Sequence, residues 1–187
     1  MESDATAIQL LLRGDAALFA AVRLSLIVSL SAVAIAAIVG VPLGALVALT
    51  RFPGRSAAIV ALNALMGLPT VVVGLVVFLL LSRSGPLGAL GWLFTPAAMI
   101  VAQAILVTPI VAALTRQVIE DLWLDYRDEL TAMNVGPLRR MATLIWDARY
   151  SLVTILLAGY GRAAAEVGAI IIVGGNIDGR AGQRYAG

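Results

Sequence analysis

The 187-residue sequence contains no cysteine, no histidine and no lysine. The absence of cysteine excludes a disulfide framework, a thiol nucleophile and a thiolate metal site. The absence of histidine removes the commonest general base and metal ligand. Charge is also scarce, because only 13% of the residues are Asp, Glu, Lys or Arg. We therefore expect no catalytic residue, no metal site and no cofactor.

What the sequence does contain is apolar. Residues of the set AVILMFWYC make up 61% of it, 18 glycines come in addition, and the mean hydropathy is +0.99. A typical soluble domain is roughly 45–50% apolar even with glycine counted. This composition excludes a soluble monomer and predicts one membrane domain. All 13 basic residues are arginines scattered along the chain, unlike the clustered basic surface of a nucleic-acid-binding protein.

Charged residues divide the chain into runs long enough to cross a bilayer. No charge occurs for 27 positions after Arg23, for 27 after Arg55 and for 32 after Arg83. A membrane-spanning helix needs about 20 apolar residues. The sequence predicts an all-α, polytopic membrane protein with spans at about 24–49, 56–81, 96–114 and 150–174.

The orientation follows from the arginines and from the N-terminal segment. Residues 1–15 lack the basic region of a signal peptide, and the first apolar run is too long for one, so we expect the first helix to be retained. With the N-terminus outside, seven arginines lie in the inner loops and five in the outer segments. This arrangement places the polar segment 116–149 in the cytoplasm.

The polar segment has the period of a helix on both sides of Gly136-Pro137. Glycine suits the C-terminal cap of one helix, and proline suits the first position of the next. The pattern predicts two short amphipathic helices, which either lie on the membrane surface or dock into a cytoplasmic partner. Their apolar positions are Leu122, Tyr126, Leu130 and Met133, then Leu138, Met141 and Ile145.

Residues 130–136 (Leu-Thr-Ala-Met-Asn-Val-Gly) resemble the cytoplasmic E-A-A-x-x-x-G loop of permease subunits of binding-protein-dependent ABC importers. Ala132 and Gly136 match the pattern. Leu130 replaces the glutamate, and Glu129 lies one position early. The I-x-L-P element that follows in many such loops is absent, since Trp-Asp-Ala-Arg stands there.

Three further stretches are similar to these permeases, the first to their first core helix and the other two to their tungstate/molybdate-type branch. They are residues 24–44 with Gly-Val-Pro-Leu-Gly at their end, residues 67–88, and residues 148–177 with Val-Gly-Gly-Asn-Ile at their end. The resemblance covers roughly residues 22–177. Members of this branch carry one more span after the Gly-Gly-Asn-Ile stretch, and the polar residues 178–187 cannot supply it. We expect the chain to be truncated or frame-shifted after about Ile177, and the alternative is a shorter variant of the family.

The resemblance implies a type I importer-like helical bundle in the inner membrane of a prokaryote. It implies a homodimer of this subunit within the lipid, cytoplasmic ATP-binding subunits, and an extracytoplasmic binding protein that delivers tungstate or molybdate. The coupling positions would be Leu130, Ala132 and Gly136, with Glu129 as a substitute acid. The chain has no G-x-x-x-x-G-K-[ST] motif, so we expect a partner to hydrolyse ATP and the permease not to be an enzyme. The alternative is a small oligomeric channel, or a membrane scaffold, without an ATPase.

Two sets of residues inside the predicted spans have interpretations that the sequence leaves open. Arg162 and Glu166 lie four positions apart, either as a structural ion pair or with Arg162 near the pathway to attract an oxyanion. Gly40 and Gly44, with Pro42 between them, allow two helices to approach closely, either within the subunit or at a dimer seam. We also expect helix breaks at Pro69 and Pro109.

Overall fold

The computed structural model describes residues 16–165, and this part of the chain consists of helices and short connections without a β-strand. The predicted all-α class is confirmed. A single 3₁₀ turn, Gly88–Leu90, lies in the connection before the fourth helix. The helices are α1 Ala16–Leu49, α2 Arg55–Met66, α3 Thr70–Leu81, α4 Pro96–Ala132, α5 Pro137–Asp147 and α6 Arg149–Ala165.

The longest helices, α1 and α4, pack side by side in the same direction. A Cβ atom added at Gly40 would lie 3.1 Å from the carbonyl oxygen of Thr108, and one added at Gly44 would lie 2.3 Å from that of Ala112. Because both residue numbers rise together, the two helices are parallel. The absence of a side chain at these glycines is what permits the close approach.

Helices α2 and α3 connect the end of α1 to the start of α4 and bring the chain back to the other side of the bundle. Leu62 of α2 packs against Ala112, whereas the α3 cluster that includes Val73 and Leu81 packs against the first turns of α4. Together the two helices follow α4 in the opposite direction. The axis bends by 101° between them, where the predicted break at Pro69 occurs, because proline lacks an N–H group and disfavours helical geometry in the residue before it.

Helix α4 continues well past the end of the predicted third span at residue 114. It reaches Ala132, so the predicted span and the first predicted amphipathic helix form one helix of 37 residues. The second proline expected to break a helix, Pro109, lies inside α4 without ending it. No glycine and no further proline follows in α4, which explains why the helix persists into the polar segment.

Helices α5 and α6 meet at a bend of 70°. Helix α6 runs antiparallel to α4: a Cβ at Gly159 would lie 3.0 Å from Val107, and the Gln103 side-chain amide donates a hydrogen bond of 3.1 Å to the Ala163 carbonyl. Helix α4 therefore contacts every other helix and forms the centre of the bundle.

Aromatic residues mark two levels along α4. Trp92 and Phe94 precede its first turn, and the antiparallel register brings Tyr150, at the start of α6, near the level of Arg116. Twenty residues of helix between the two levels span about 30 Å, which is the thickness of the hydrocarbon core of a bilayer. Within residues 16–165, two helices are long and apolar enough to cross a membrane, and up to four crossings result if each bent pair is one span.

Candidate functional site

The connection between α4 and α5 is a tight turn with a defined set of hydrogen bonds. The Val135 N–H donates to the Leu130 carbonyl (3.1 Å), and the Asn134 N–H donates to the Thr131 carbonyl (3.0 Å). This pair of bonds is the Schellman motif, which satisfies carbonyls at the end of a helix. The motif needs a left-handed residue, and Asn134 supplies it with φ of 49°.

Gly136 therefore does not take the predicted role of a C-terminal cap. It has φ −64° and ψ 156°, an extended conformation, because the residue before a proline is driven away from helical geometry. Asn134 takes the left-handed position because asparagine tolerates it better than most residues do. Pro137 occupies the first turn of α5, as the sequence predicts.

A second contact fixes the direction of α5 against α4. The guanidinium of Arg140 lies 4.6 Å from the centre of the Trp123 ring on α4, and one of its nitrogens donates to the Val135 carbonyl at 3.2 Å. One side chain of α5 thus joins the turn to a point on α4 three helical turns before it.

A third contact lies on the other side of α5. The hydroxyl of Tyr126 on α4 donates a hydrogen bond to the carboxylate of Asp147, the last residue of α5. The negative charge of Asp147 is the main reason that the pKa of Tyr126 is raised above its ordinary value. Partial burial, the hydrogen bond itself and the charges of Asp125 and Glu129 act in the same direction.

Two large apolar side chains flank this turn and point into solvent. Met133 is 74% exposed and Leu138 is 78% exposed, although both belong to the most charged segment of the chain. An open cavity of about 790 Å³ lies between them. Exposed apolar residues with a polar surround are typical of a surface that a protein partner or a membrane covers.

The structure brings the four predicted coupling positions into one place. Glu129 and Ala132 are exposed in the last turn of α4, and Gly136 is exposed in the turn itself. Leu130, which stands where the pattern has glutamate, packs inward against the core cluster that contains Leu144. An apolar residue fits this position because its side chain does not face solvent.

Sequence reasoning missed a charged network at the level where α1 ends. Glu120 of α4 forms ion pairs with Arg116 of the same helix and with Arg55 at the start of α2. Arg55 also donates from Nε to the Val47 carbonyl on α1 at 2.9 Å. The spacing of Arg116 and Glu120 is a signal for the first pair, whereas no sequence signal connects Arg55 to a residue 65 positions away.

The other predicted residues lie deeper in the bundle. Gly40 and Gly44 face α4 of the same subunit, while Pro42 is exposed. Arg162 is half-buried near the middle of the crossing helices, and Glu166 lies outside the described residues, so the interpretations of the Arg162–Glu166 pair stay predictions.

The part of the bundle between the two aromatic levels contains a cavity with an apolar lining. This cavity, of about 460 Å³ between α1, α2 and α4, is lined by residues such as Ile35, Leu65 and Ile105, with Thr108 as its one hydroxyl group. Such a lining offers no charge to a hydrated oxyanion. Among residues 16–165, no three acidic side chains are placed to hold a metal ion.

The fold and the composition define a helical, multi-pass membrane protein whose central helix ends at a turn with exposed apolar side chains. No protein-family model matches the chain. It is 45% identical over 82% of its length to a probable anion ABC transporter permease of Haloferax volcanii. It is 38% identical over 95% of its length to a tungstate uptake permease, TupB, of Peptoclostridium acidaminophilum, and 42% identical over 60% of its length to TupB of Campylobacter jejuni.

These matches cover 66%, 78% and 47%, respectively, of the relatives' own lengths. The chain belongs to the tungstate/molybdate-type permease subunits of ABC transporters, which confirms the resemblance seen in its sequence.

Proposed function

We propose that the chain imports tungstate, or else molybdate, as one of two identical permease subunits in the inner membrane, with its N-terminus outside. An extracytoplasmic binding protein delivers the oxyanion, and two cytoplasmic ATPase subunits bind the α4–α5 turns. The names of the tungstate relatives support this choice of substrate. The apolar lining at membrane depth supports a role for the binding protein in selecting it.

The continuity of α4 is the observation that carries the proposal. One helix of 37 residues, about 55 Å long, runs from the centre of the bundle to the turn that displays Met133 and Leu138. A movement of the turn by a partner therefore displaces the middle of the bundle without an intervening hinge. That is the mechanical requirement for coupling ATP hydrolysis to transport.

The partner must supply the nucleotide chemistry. The chain has no lysine, and therefore no phosphate-binding loop of the type that requires one. The exposed side chains of Met133 and Leu138, with charged residues around them, suit a groove on a soluble protein. A channel or a scaffold without an ATPase is the alternative, and it gives no reason for a turn that three separate contacts hold in place.

Co-purification tests the proposal. The tagged permease, co-expressed with the candidate ATPase and extracted in mild detergent, is expected to retain the ATPase. Met133→Glu with Leu138→Glu is expected to abolish this retention, because the two carboxylates cannot be desolvated in an apolar groove without a large cost. The amount of permease in the membrane is expected to stay unchanged, since both side chains are exposed.

Leu124→Glu is the matched control. Leu124 is also on α4 and 64% exposed, but nine residues of helix place it on the face opposite Met133. Retention of the ATPase is expected to survive this change. The turn is not the docking site if the wild-type permease is extracted from the membrane without the ATPase. The same conclusion follows if the control variant loses the ATPase to the same extent.

Substrate choice needs a separate measurement. Proteoliposomes that contain the permease and the ATPase, with the binding protein outside, are expected to accumulate tungstate when ATP is inside. Accumulation of molybdate at a higher rate would change the assigned substrate and would leave the coupling proposal intact.

A further inference from the structure

Three side chains at the junction of α5 and α6, those of Trp146, Arg149 and Tyr150, form an exposed cluster of two aromatic rings around a cation. The guanidinium of Arg149 lies 4.6 Å from the centre of the Tyr150 ring and 5.3 Å from that of Trp146. Both rings remain largely uncovered, with Trp146 72% and Tyr150 74% exposed. Within residues 16–165, no carboxylate forms an ion pair with Arg149.

The cluster lies at one boundary of the membrane. Tyr150 is near the level of Arg116 on α4, about 30 Å from the level of Trp92 and Phe94. The residues of α6 that follow are uncharged until Arg162, whereas α5 before them is amphipathic and polar. The 70° bend between the helices lets α5 run along the membrane surface when α6 crosses it.

We propose that Trp146, Arg149 and Tyr150 bind the phosphate of an anionic phospholipid in the leaflet on the side of the α4–α5 turn. Aromatic rings with one polar edge are stable at the headgroup level, and a guanidinium pairs with a phosphodiester through two parallel hydrogen bonds. The rings hold the guanidinium by cation–π contacts, which reduces the freedom that it loses when it binds a headgroup. The bound lipid fixes the depth of α6 and the direction of α5.

A lipid fits this cluster better than either protein partner does. The ATPase docking surface is the α4–α5 turn with Met133 and Leu138. Trp146 shares a cavity of about 220 Å³ with Met133, but Arg149 and Tyr150 line neither that cavity nor the larger one between Met133 and Leu138. A second copy of the chain would have to bring an acidic group to Arg149 at the headgroup level. In the described residues, Glu120 already pairs with two arginines, and Asp147, the acidic residue beside Trp146, already interacts with Tyr126.

The test uses the fluorescence of Trp146 in the full permease, with Trp92 and Trp123 replaced by phenylalanine. The protein is placed in lipid nanodiscs of phosphatidylcholine, and nitroxide-labelled phosphatidylglycerol is titrated in. A label at the carboxyl end of the acyl chain is expected to quench Trp146 more strongly than a label at the methyl end. Labelled phosphatidylglycerol is also expected to quench at a lower mole fraction than labelled phosphatidylcholine does.

Arg149→Gln is expected to raise the half-quenching mole fraction of phosphatidylglycerol about fivefold, the effect of one surface arginine on anionic lipid. Arg149→Lys is expected to recover part of that loss. Arg127→Gln removes an exposed arginine of α4 more than a Debye length beyond the boundary, and it is expected to change nothing. Equal quenching by both lipid classes, or an equal effect of Arg127→Gln, would overturn the proposal.

Two protein occupants are separate outcomes of the same experiment. Shielding of Trp146 from every lipid label after addition of the ATPase would assign the cluster to that partner. Quenching that falls with the number of permeases per disc would assign it to a second copy. Either result overturns the lipid proposal and leaves the docking turn untouched, because the turn is tested by retention of the ATPase.

Discussion

The half of α4 inside the bundle and the half beyond it are held by different kinds of contact. Inside the bundle, α1 and α4 are in close contact because Gly40 and Gly44 have no side chains where backbone atoms of α4 approach. Beyond the bundle, polar and aromatic contacts, those of Arg140 with Trp123 and of Tyr126 with Asp147, add to the apolar packing of Leu144 in the core cluster.

The difference follows from the two solvents. In lipid, apolar side chains gain little by leaving their surroundings, so helices associate through close packing of small residues. In water, the exposed Met133 and Leu138 are costly unless a partner covers them, and specific contacts must hold the turn that presents them. The interior half should therefore be sensitive to added volume and the outer half to lost polar groups.

Gly44→Val gives the largest expected effect. The added Cβ would lie 2.3 Å from the Ala112 carbonyl oxygen and 2.9 Å from Thr115 Cβ, so two backbones have to separate. We expect a loss of about 3 kcal/mol in the free energy of unfolding, the upper end of the range for overpacking. Thermal unfolding of the detergent-solubilised protein, with size exclusion to measure the folded fraction, checks this value.

Gly161→Ala is the matched control for volume. Gly161 lies inside α6 with nothing within 4 Å of an added Cβ, so the change should stabilise the helix by up to about 1 kcal/mol. If Gly44→Val lowers the free energy of unfolding and Gly161→Ala raises it, the sensitivity to added volume is specific to the α1–α4 contact. A neutral Gly44→Val would show that α1 and α4 are not closely packed in the membrane.

Glu120→Gln tests the boundary between the two halves. The change leaves Arg116, which is 9% exposed, and Arg55 without their shared carboxylate. We expect a loss of about 2 kcal/mol, because an uncompensated charge stays partly buried. Asp128→Asn removes the carboxylate of an exposed pair with Arg127 and should cost at most about 0.5 kcal/mol. Equal shifts in the unfolding temperature of the two variants would refute the structural role of Glu120.

The sequence predicted most of what depends on local pattern. Uncharged runs and the Gly136-Pro137 break follow from composition and spacing. The structure brings the four positions that the resemblance implies for coupling, Glu129, Leu130, Ala132 and Gly136, together at the end of α4 and in the turn that follows. The family was also predictable, because the stretches that carry it are contiguous in the chain.

The remaining features depend on distant contacts or on competition between neighbours. Arg55 meets Glu120 only because α2 folds back along α4. Pro137 forces Gly136 to be extended, so Asn134 takes the left-handed position. Glycine has the greater backbone freedom, but here it does not adopt the left-handed conformation. The charged residue Arg116 suggested that the third span ends just before it. Helix α4 nevertheless continues to Ala132, because no residue between them breaks a helix.

Arg140→Gln should loosen the outer half without disturbing the interior. It removes the cation above Trp123 and weakens the bond to the Val135 carbonyl, at an expected cost of about 1 kcal/mol. Protease cleavage after Arg139, which is exposed in α5, should become faster, while the unfolding temperature of the bundle changes little. Met141→Leu, a volume-conserving change in the same helix, is the control. An unchanged cleavage rate in Arg140→Gln would mean that Arg140 does not hold the turn.

The smallest expected effect concerns the hydrogen bond at the other end of α5. Asp147 raises the pKa of Tyr126 above its ordinary value of 10.0, so the neutral hydroxyl contributes to stability fully below that pH. The contribution disappears as the pH rises through the raised pKa of the folded state. Asp147→Asn should lower the pKa of Tyr126 toward its ordinary value, and Asp125→Asn should lower it less, since Asp147 is the main cause.

The phenolate absorbance of each protein, minus that of its Tyr126→Phe counterpart, isolates this titration from the other tyrosines. Equal effects of the two asparagine variants would show that Tyr126 responds to the overall negative charge of the segment and not to a bond with Asp147. In that case Arg140, the Schellman bonds and the buried Leu144 would hold α5 without a contribution from the Tyr126 hydroxyl.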